Sequence, residues 1–160
     1  MTPSGVVGRH AGESGIHACA VAVGERGALI RGPSGAGKSA LSLAMLALAR
    51  QTGRFAALVG DDRIFLSVAG ERLLARGVPG FEGVIERRSE GLLIETHEAR
   101  VVIRLVVDLG ERGDPPPRWP GDQDRRTELL GVQLPRLVID STHGALDGAY
   151  AVLRRLAKVP

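Results

Sequence analysis

Gly32-Pro33-Ser34-Gly35-Ala36-Gly37-Lys38-Ser39 sets glycines, a lysine and a hydroxyl at a spacing suited to holding phosphate. Glycines at 32, 35 and 37 let successive backbone N–H groups curl round an anion without Cβ clashes. A helix opening at Lys38 adds the positive end of its dipole. In this GxxxxGK[ST] pattern the lysine reaches the β- and γ-phosphates, and the Ser39 hydroxyl can ligate Mg²⁺. An apolar run precedes the motif and an amphipathic run follows it, which is the context it needs. Lysine is also scarce: of 21 Lys and Arg residues only Lys38 and Lys158 are lysines. A bare Gly-rich turn does not explain Lys-Ser at that offset. The stretch is expected to bind a nucleoside triphosphate, without specifying a reaction.

The acids narrow the chemistry. Asp61 and Asp62 stand together between two apolar runs in ALVGDDRIFL. Such a pair suits a metal, a proton transfer or the polar turn of a hairpin. Its place after the helix that the phosphate loop opens favours chemistry over a turn. Glu86 lies in GVIERRSEGLL, among Arg87, Arg88 and Glu90, so a solvated charge cluster is the competing reading. His17 begins an apolar run upstream and also fits a structural histidine. Transfer to a hydroxyl needs a carboxylate or imidazole for its proton and an acid for Mg²⁺, and these residues supply that set. Two other classes lack their marks: there is no LSGGQ-like segment, and an NKxD guanine reader is impossible in a chain without asparagine. A small-molecule kinase stays open, with the segment 115–126 as its arginine-bearing lid.

The elements that must position these residues follow from periodicity. Residues 16–23 read as a strand, Gly24-Glu25-Arg26-Gly27 as a hairpin turn, and residues 28–31 as the strand before the phosphate loop. Apolar residues at 41, 44, 45 and 48 predict a helix over 38–50. Residues 55–59, 63–68, 72–75, 84–86, 91–95, 99–108 and 137–139 read as strands. Asp140-Ser141-Thr142 offers N-caps to a helix over 145–157. Residues 111–126, with their prolines, read as irregular, and the Gly-rich start, 1–14, as flexible. The expectation is an α/β fold: one domain over 1–160 with a mixed central sheet and few helices.

Composition sets outer limits. The chain has 160 residues, enough for one real core, with 44% apolar and 24% charged residues. A pI near 9.7 suggests anionic partners, but 3% aromatics and scattered charge argue against a nucleic-acid platform. No apolar run is long enough for a membrane span, and no secretory leader is visible. Cys19 stands alone, which fits a reducing cytoplasm. His97, His143 and Arg125-Arg126 read as surface residues.

Taken together, the motifs resemble the catalytic domain of HPr kinase/phosphorylase, the bacterial enzyme that phosphorylates a serine of the phosphocarrier HPr. The likeness runs from about residue 16 to about residue 139. It rests on His17 before the phosphate loop, on G-x-S-G-x-G-K-S at Gly32–Ser39 and on V-x-D-D at Val59–Asp62. It also rests on an E-x-R-G-x-G block at Glu86–Gly91, where Ser89 replaces the first glycine. The resemblance implies an ATP- and Mg²⁺-dependent serine kinase. It implies that the Asp61–Asp62 pair accepts the serine proton, that His17 assists it, and that Glu86 joins Ser39 on the metal. It places a family arginine near Arg118, and a homo-hexamer becomes the expected assembly. The resemblance is to a short form without the family's amino-terminal domain, of the alphaproteobacterial kind, and that form is the expectation. The P-V-R-P-G-R segment of the reverse reaction is unrecognisable beyond Leu134-Pro135-Arg136-Leu137, so phosphorolysis is not implied. Two alternatives compete: a small-molecule kinase related to phosphoenolpyruvate carboxykinase, and an ATP-sensing module without transfer.

Overall fold

Short apolar runs separated by tight turns make this a chain of hairpins, broken by one long strand and two helices. The computed structural model describes residues 12–110 and 115–160. The first strands are β1 (Ser14–Ile16), β2 (Cys19–Val23) and β3 (Arg26–Arg31), followed by helix α1 (Lys38–Gln51). Strands β4 (Ala56–Gly60), β5 (Ile64–Ala69), β6 (Arg72–Arg76), β7 (Val84–Arg87) and β8 (Gly91–Ile94) come next. The chain closes with β9 (Arg100–Leu109), β10 (Arg126–Leu129), β11 (Val132–Ile139) and α2 (Ala145–Leu156).

Nine of these strands form one mixed sheet in the order β1-β5-β6-β9-β3-β2-β4, with β11 parallel to β9 and β10 antiparallel to β11. The two remaining strands, β7 and β8, form a separate hairpin. At the centre β3 runs parallel to β9, placing Arg31 opposite Asp108. Gly27 permits this approach, since a Cβ there would lie 2.6 Å from Val101 Cγ1 and 2.8 Å from the Val102 carbonyl oxygen.

Strand alternation sorts the core into two faces. Cys19, Val21, Ile30, Leu105 and Val107 face the helices, where Leu41, Met45, Leu46, Ala149 and Val152 meet them. Ala18, Ala20, Leu29, Val59, Ile64 and Leu66 form the other face. In α1 the buried stripe Lys38, Leu41, Ser42, Met45, Leu46 and Ala49 follows helical spacing. Met45 is fully buried. Met45→Ala is expected to cost about 2–5 kcal/mol of stability, measured by denaturant unfolding, because a cavity would open between helix and sheet.

Three expectations need correction. The run 16–23 is two strands: the chain changes partner at His17-Ala18, pairing with β5 before it and with β3 and β4 after it. Strand β10 and the first half of β11 were not expected. Their Leu130-Gly131 turn has φ of 50° and 80°, a left-handed pair that Asn-Gly signals far better than Leu-Gly. Asp140 caps a short 3₁₀ turn, accepting from the Thr142 N–H, while Gly144 precedes α2 without a side-chain cap. Of the start expected to be flexible, residues 1–11 lie outside the described residues. Glu13, however, pairs with Arg76 at 2.6 Å and Ser14 enters β1.

Candidate active site

The phosphate loop leaves β3 and turns directly into α1. Gly35 and Gly37 take φ of 81° and 99°, which side chains with a Cβ rarely adopt. Gly37 is the N-cap of α1, with no side-chain cap and no acid in the first turn. The free N–H groups and the helix dipole therefore face the loop's concavity, a ready anion site. Lys38 is almost fully buried and donates to the carbonyl oxygens of Gly32 and Pro33 at 2.8 and 3.1 Å. Its ammonium is folded across its own loop, at the place where phosphate oxygens would compete for it.

Two strands away, β4 delivers the acids. Its register against β2 slips so that Ala20 faces Gly60 and Val21 faces Leu58, leaving Val59 as an extra residue. Such a bulge re-aims the chain that follows it. Close backbone contact fixes the exit: a Cβ on Gly77 would lie 2.4 Å from the Val59 carbonyl oxygen, and one on Gly60 would lie 2.7 Å from Ile64 Cδ1. The Leu58 N–H and carbonyl oxygen bond Thr96 and Glu98, tying the other edge of β4.

The two aspartates then part. Asp61 Oδ1 accepts from Ser39 Oγ at 2.7 Å and from Cys19 Sγ at 2.9 Å, while Oδ2 accepts from the Glu86 backbone N–H at 3.1 Å. Asp62 has φ of 67° and turns outward to His17, whose Nδ1 lies 3.2 Å from Asp62 Oδ1. Their side chains are 76% and 54% exposed, so this couple stands at the open rim of the site. Glu86 comes from β7, whose Ile85 is locked in the helix-side core. Its hairpin turns at Ser89 with φ of 71°, a left-handed position at the site where the family pattern carries glycine. His17, Ser34, Lys38, Ser39, Asp61 and Glu86 thus line one cleft of about 520 Å³.

This donor set suits Mg²⁺ brought in with a nucleotide. Among the described residues no group of three or more His, Cys, Asp or Glu side chains is placed to hold a metal alone. Mg²⁺ in phosphoryl-transfer sites takes one or two protein oxygens and completes its shell with phosphates and water. Ser39, with the Asp61 carboxylate behind it and Glu86 across the cleft, fits that pattern.

No sequence-family model and no curated protein sequence matches the chain. Among solved structures it is similar to the HPr(Ser) kinase/phosphatase from Coxiella burnetii, with a TM-score of 0.69 and 22% identity. The alignment covers 90% of this chain and 97% of that one. The chain has the HPr(Ser) kinase/phosphatase fold. An α/β domain with a mixed sheet and few helices is what that fold provides here.

Within the HPr kinase fold the distal arginine expected at Arg118 lies on an exposed loop and does not line the cleft. His97 and His143 are exposed, as expected of surface residues. A charge cluster that sequence reading missed sits beside the phosphate loop. Asp108 accepts from Arg31 Nε and Nη2 at 2.7 and 2.8 Å and from Arg136 Nε at 2.6 Å. Its signal was present but scattered: an acid at the end of the clearest strand and an arginine just before Gly32. Arg136, inside Leu134–Leu137, stands 28 residues from the acid it meets.

Burial alone would push the Asp108 carboxyl up, but the Arg31 and Arg136 guanidiniums together hold it below the ordinary carboxylate value. A depressed folded-state value gives stability that is present above the unfolded value, about pH 4, and lost as pH falls through the folded one. Asp108→Asn is therefore expected to be less stable than the parent at pH 7. The two should converge in strong acid, as read by urea midpoints across that range.

Proposed function

We propose that the protein is an ATP- and Mg²⁺-dependent protein serine kinase acting on an HPr-like phosphocarrier. The observation that carries this reading is the Ser39–Asp61 hydrogen bond, with Lys38 and Glu86 in the same cleft. It joins the phosphate loop to an acid pair as phosphoryl transfer to a hydroxyl requires. The resemblance in fold and motifs supports the substrate class. The open rim at Asp62 and His17 suits a serine presented on another protein's surface.

In this reading backbone N–H groups of the Gly32–Ser39 loop, Pro33 having none, hold the triphosphate, and Lys38 leaves the Gly32 and Pro33 carbonyls for the β- and γ-phosphates. Ser39 and Glu86 would hold Mg²⁺, which neutralises charge on the β- and γ-oxygens when bound. The aspartate pair takes the serine proton as its oxygen attacks the γ-phosphorus. The bond from that phosphorus to the β–γ bridging oxygen breaks and ADP leaves, and His17 steadies Asp62. On the far side of the loop, a cavity of about 540 Å³ between Ala36, Leu41, Leu109, Ile139 and Ala145 would receive the nucleoside. Ala145→Trp, filling it, is expected to weaken ADP binding by roughly tenfold or more while leaving inorganic triphosphate binding unchanged. Calorimetry checks both ligands.

The reaction itself is tested by incubating the protein with labelled ATP, Mg²⁺ and HPr and locating label on an HPr serine. Transfer to a metabolite, with HPr unlabelled, would instead establish the small-molecule kinase. ATP binding without transfer to any acceptor would establish the sensor. A homo-hexamer belongs to the same proposal and is read by light scattering. Phosphorolysis is read by adding inorganic phosphate to phospho-HPr. No described helix is long and apolar enough to cross a membrane.

A further inference from the structure

Cys19 is fully buried at the start of β2, on the helix-facing side of the sheet. A buried thiol in such a place ordinarily packs as a small apolar group. This one does not touch carbon alone, since its Sγ lies 2.9 Å from Asp61 Oδ1, the oxygen that also receives the Ser39 hydroxyl. Ser42 and the Asp62 backbone N–H also approach the sulfur. Burial first, and then the neighbouring Asp61 charge, push the thiol up to about 12, so it stays protonated and donates. These properties argue against a nucleophile or redox sensor, both of which need an accessible thiolate.

We propose that Cys19 is a positioning residue that holds the Asp61 carboxylate in register behind Ser39, the hydroxyl that would hold the metal. The inference rests on the kinase reading for the identity of that metal. Its geometry is independent of that reading. Asp61 lies on the loop after a bulged strand, and three donors from three elements set its plane: Cys19 from β2, Ser39 from α1 and the Glu86 N–H from β7. Ser39 and the β7 hairpin both border the cleft that takes the substrate. Cys19 lines the back of the same cleft but is fully buried in the sheet, so it can keep Asp61 aimed while the other two partners engage ligands. Partners placed behind a metal site in this way typically govern 10- to 100-fold of metal affinity or activity.

The test has two arms. In the nucleotide-free protein the infrared S–H stretch of Cys19 should be shifted by its hydrogen bond, and Asp61→Ala should return it to the free-thiol position. Calorimetry then compares ADP binding with and without Mg²⁺ for Cys19→Val, Cys19→Ala and Cys19→Ser. Valine and alanine, which lack the donor, are expected to lose about 10- to 100-fold of the Mg²⁺-dependent gain in affinity. Metal-free ADP binding should be unchanged, and serine, which keeps a donor, should restore most of the gain. An unshifted S–H band, or parental Mg²⁺ dependence in both donor-less variants, overturns the proposal. If HPr proves not to be the substrate, both arms still decide the role of Cys19, because neither uses HPr.

Discussion

Replacing Lys38 by alanine is expected to lower phosphoryl transfer by roughly 10²–10³-fold, with the fold retained. Removing one preorganised donor at a developing charge costs about that much. The ammonium of Lys38 is buried yet bonded only to two carbonyl oxygens of its own loop. Those bonds hold it at the loop without neutralising it, so an arriving phosphate gains a full charge-assisted contact. Lys38→Arg should fail nearly as badly, since the planar guanidinium cannot take the place of a compact ammonium there. The check is labelled transfer to HPr beside circular dichroism of each variant. Near-parental transfer by Lys38→Ala would refute the placement of the triphosphate in this loop.

Asp61→Asn is expected to lower transfer by about 10²–10⁴-fold, the range typical of general-base chemistry. Asparagine is almost isosteric and its Oδ1 can still accept from Ser39 and Cys19, so the fold should be kept, although its amide gives up the bond from the Glu86 N–H. It cannot take a proton and it brings no charge to the metal. Asp62→Asn should lower transfer as well, but through a different route. Asp61 touches the Ser39 hydroxyl, whereas Asp62 touches His17. Hence Asp61→Asn should also weaken Mg²⁺-dependent ADP binding, and Asp62→Asn should leave it intact. The His17→Ala change should add little on top of Asp62→Asn if the two act as a unit. Full activity in both aspartate variants would remove the pair from the mechanism.

The strand-turn-helix unit around Gly32–Ser39 was legible because its form is set by backbone and by local spacing. Gly32, Gly35, Gly37, Lys38 and Ser39 act within one strand-turn-helix unit, whose geometry is set by residues close in sequence. The helix that follows was legible for the same reason, since a 3.6-residue period is a local property. Strands of the meander from residue 55 to 108 emerged almost where apolar runs and turn residues placed them. The β10–β11 hairpin did not, because its turn rests on a leucine in a left-handed conformation, which residue type does not signal.

Residue types alone pointed to a glycine-rich loop of phosphate-binding pattern, an acid pair behind it and a mixed α/β domain to hold them. Tertiary structure decided which partners those acids meet. The adjacent residues Asp61 and Asp62 look equivalent in sequence, yet a bulge in β4 and a left-handed φ at Asp62 send their carboxylates to different partners. Pairing across β2 and β7 also brought Cys19 and the Glu86 N–H, 42 and 25 residues away in sequence, onto one carboxylate. Hydrogen bonds reach only about 3 Å, so which distant groups share one is settled by strand order and register.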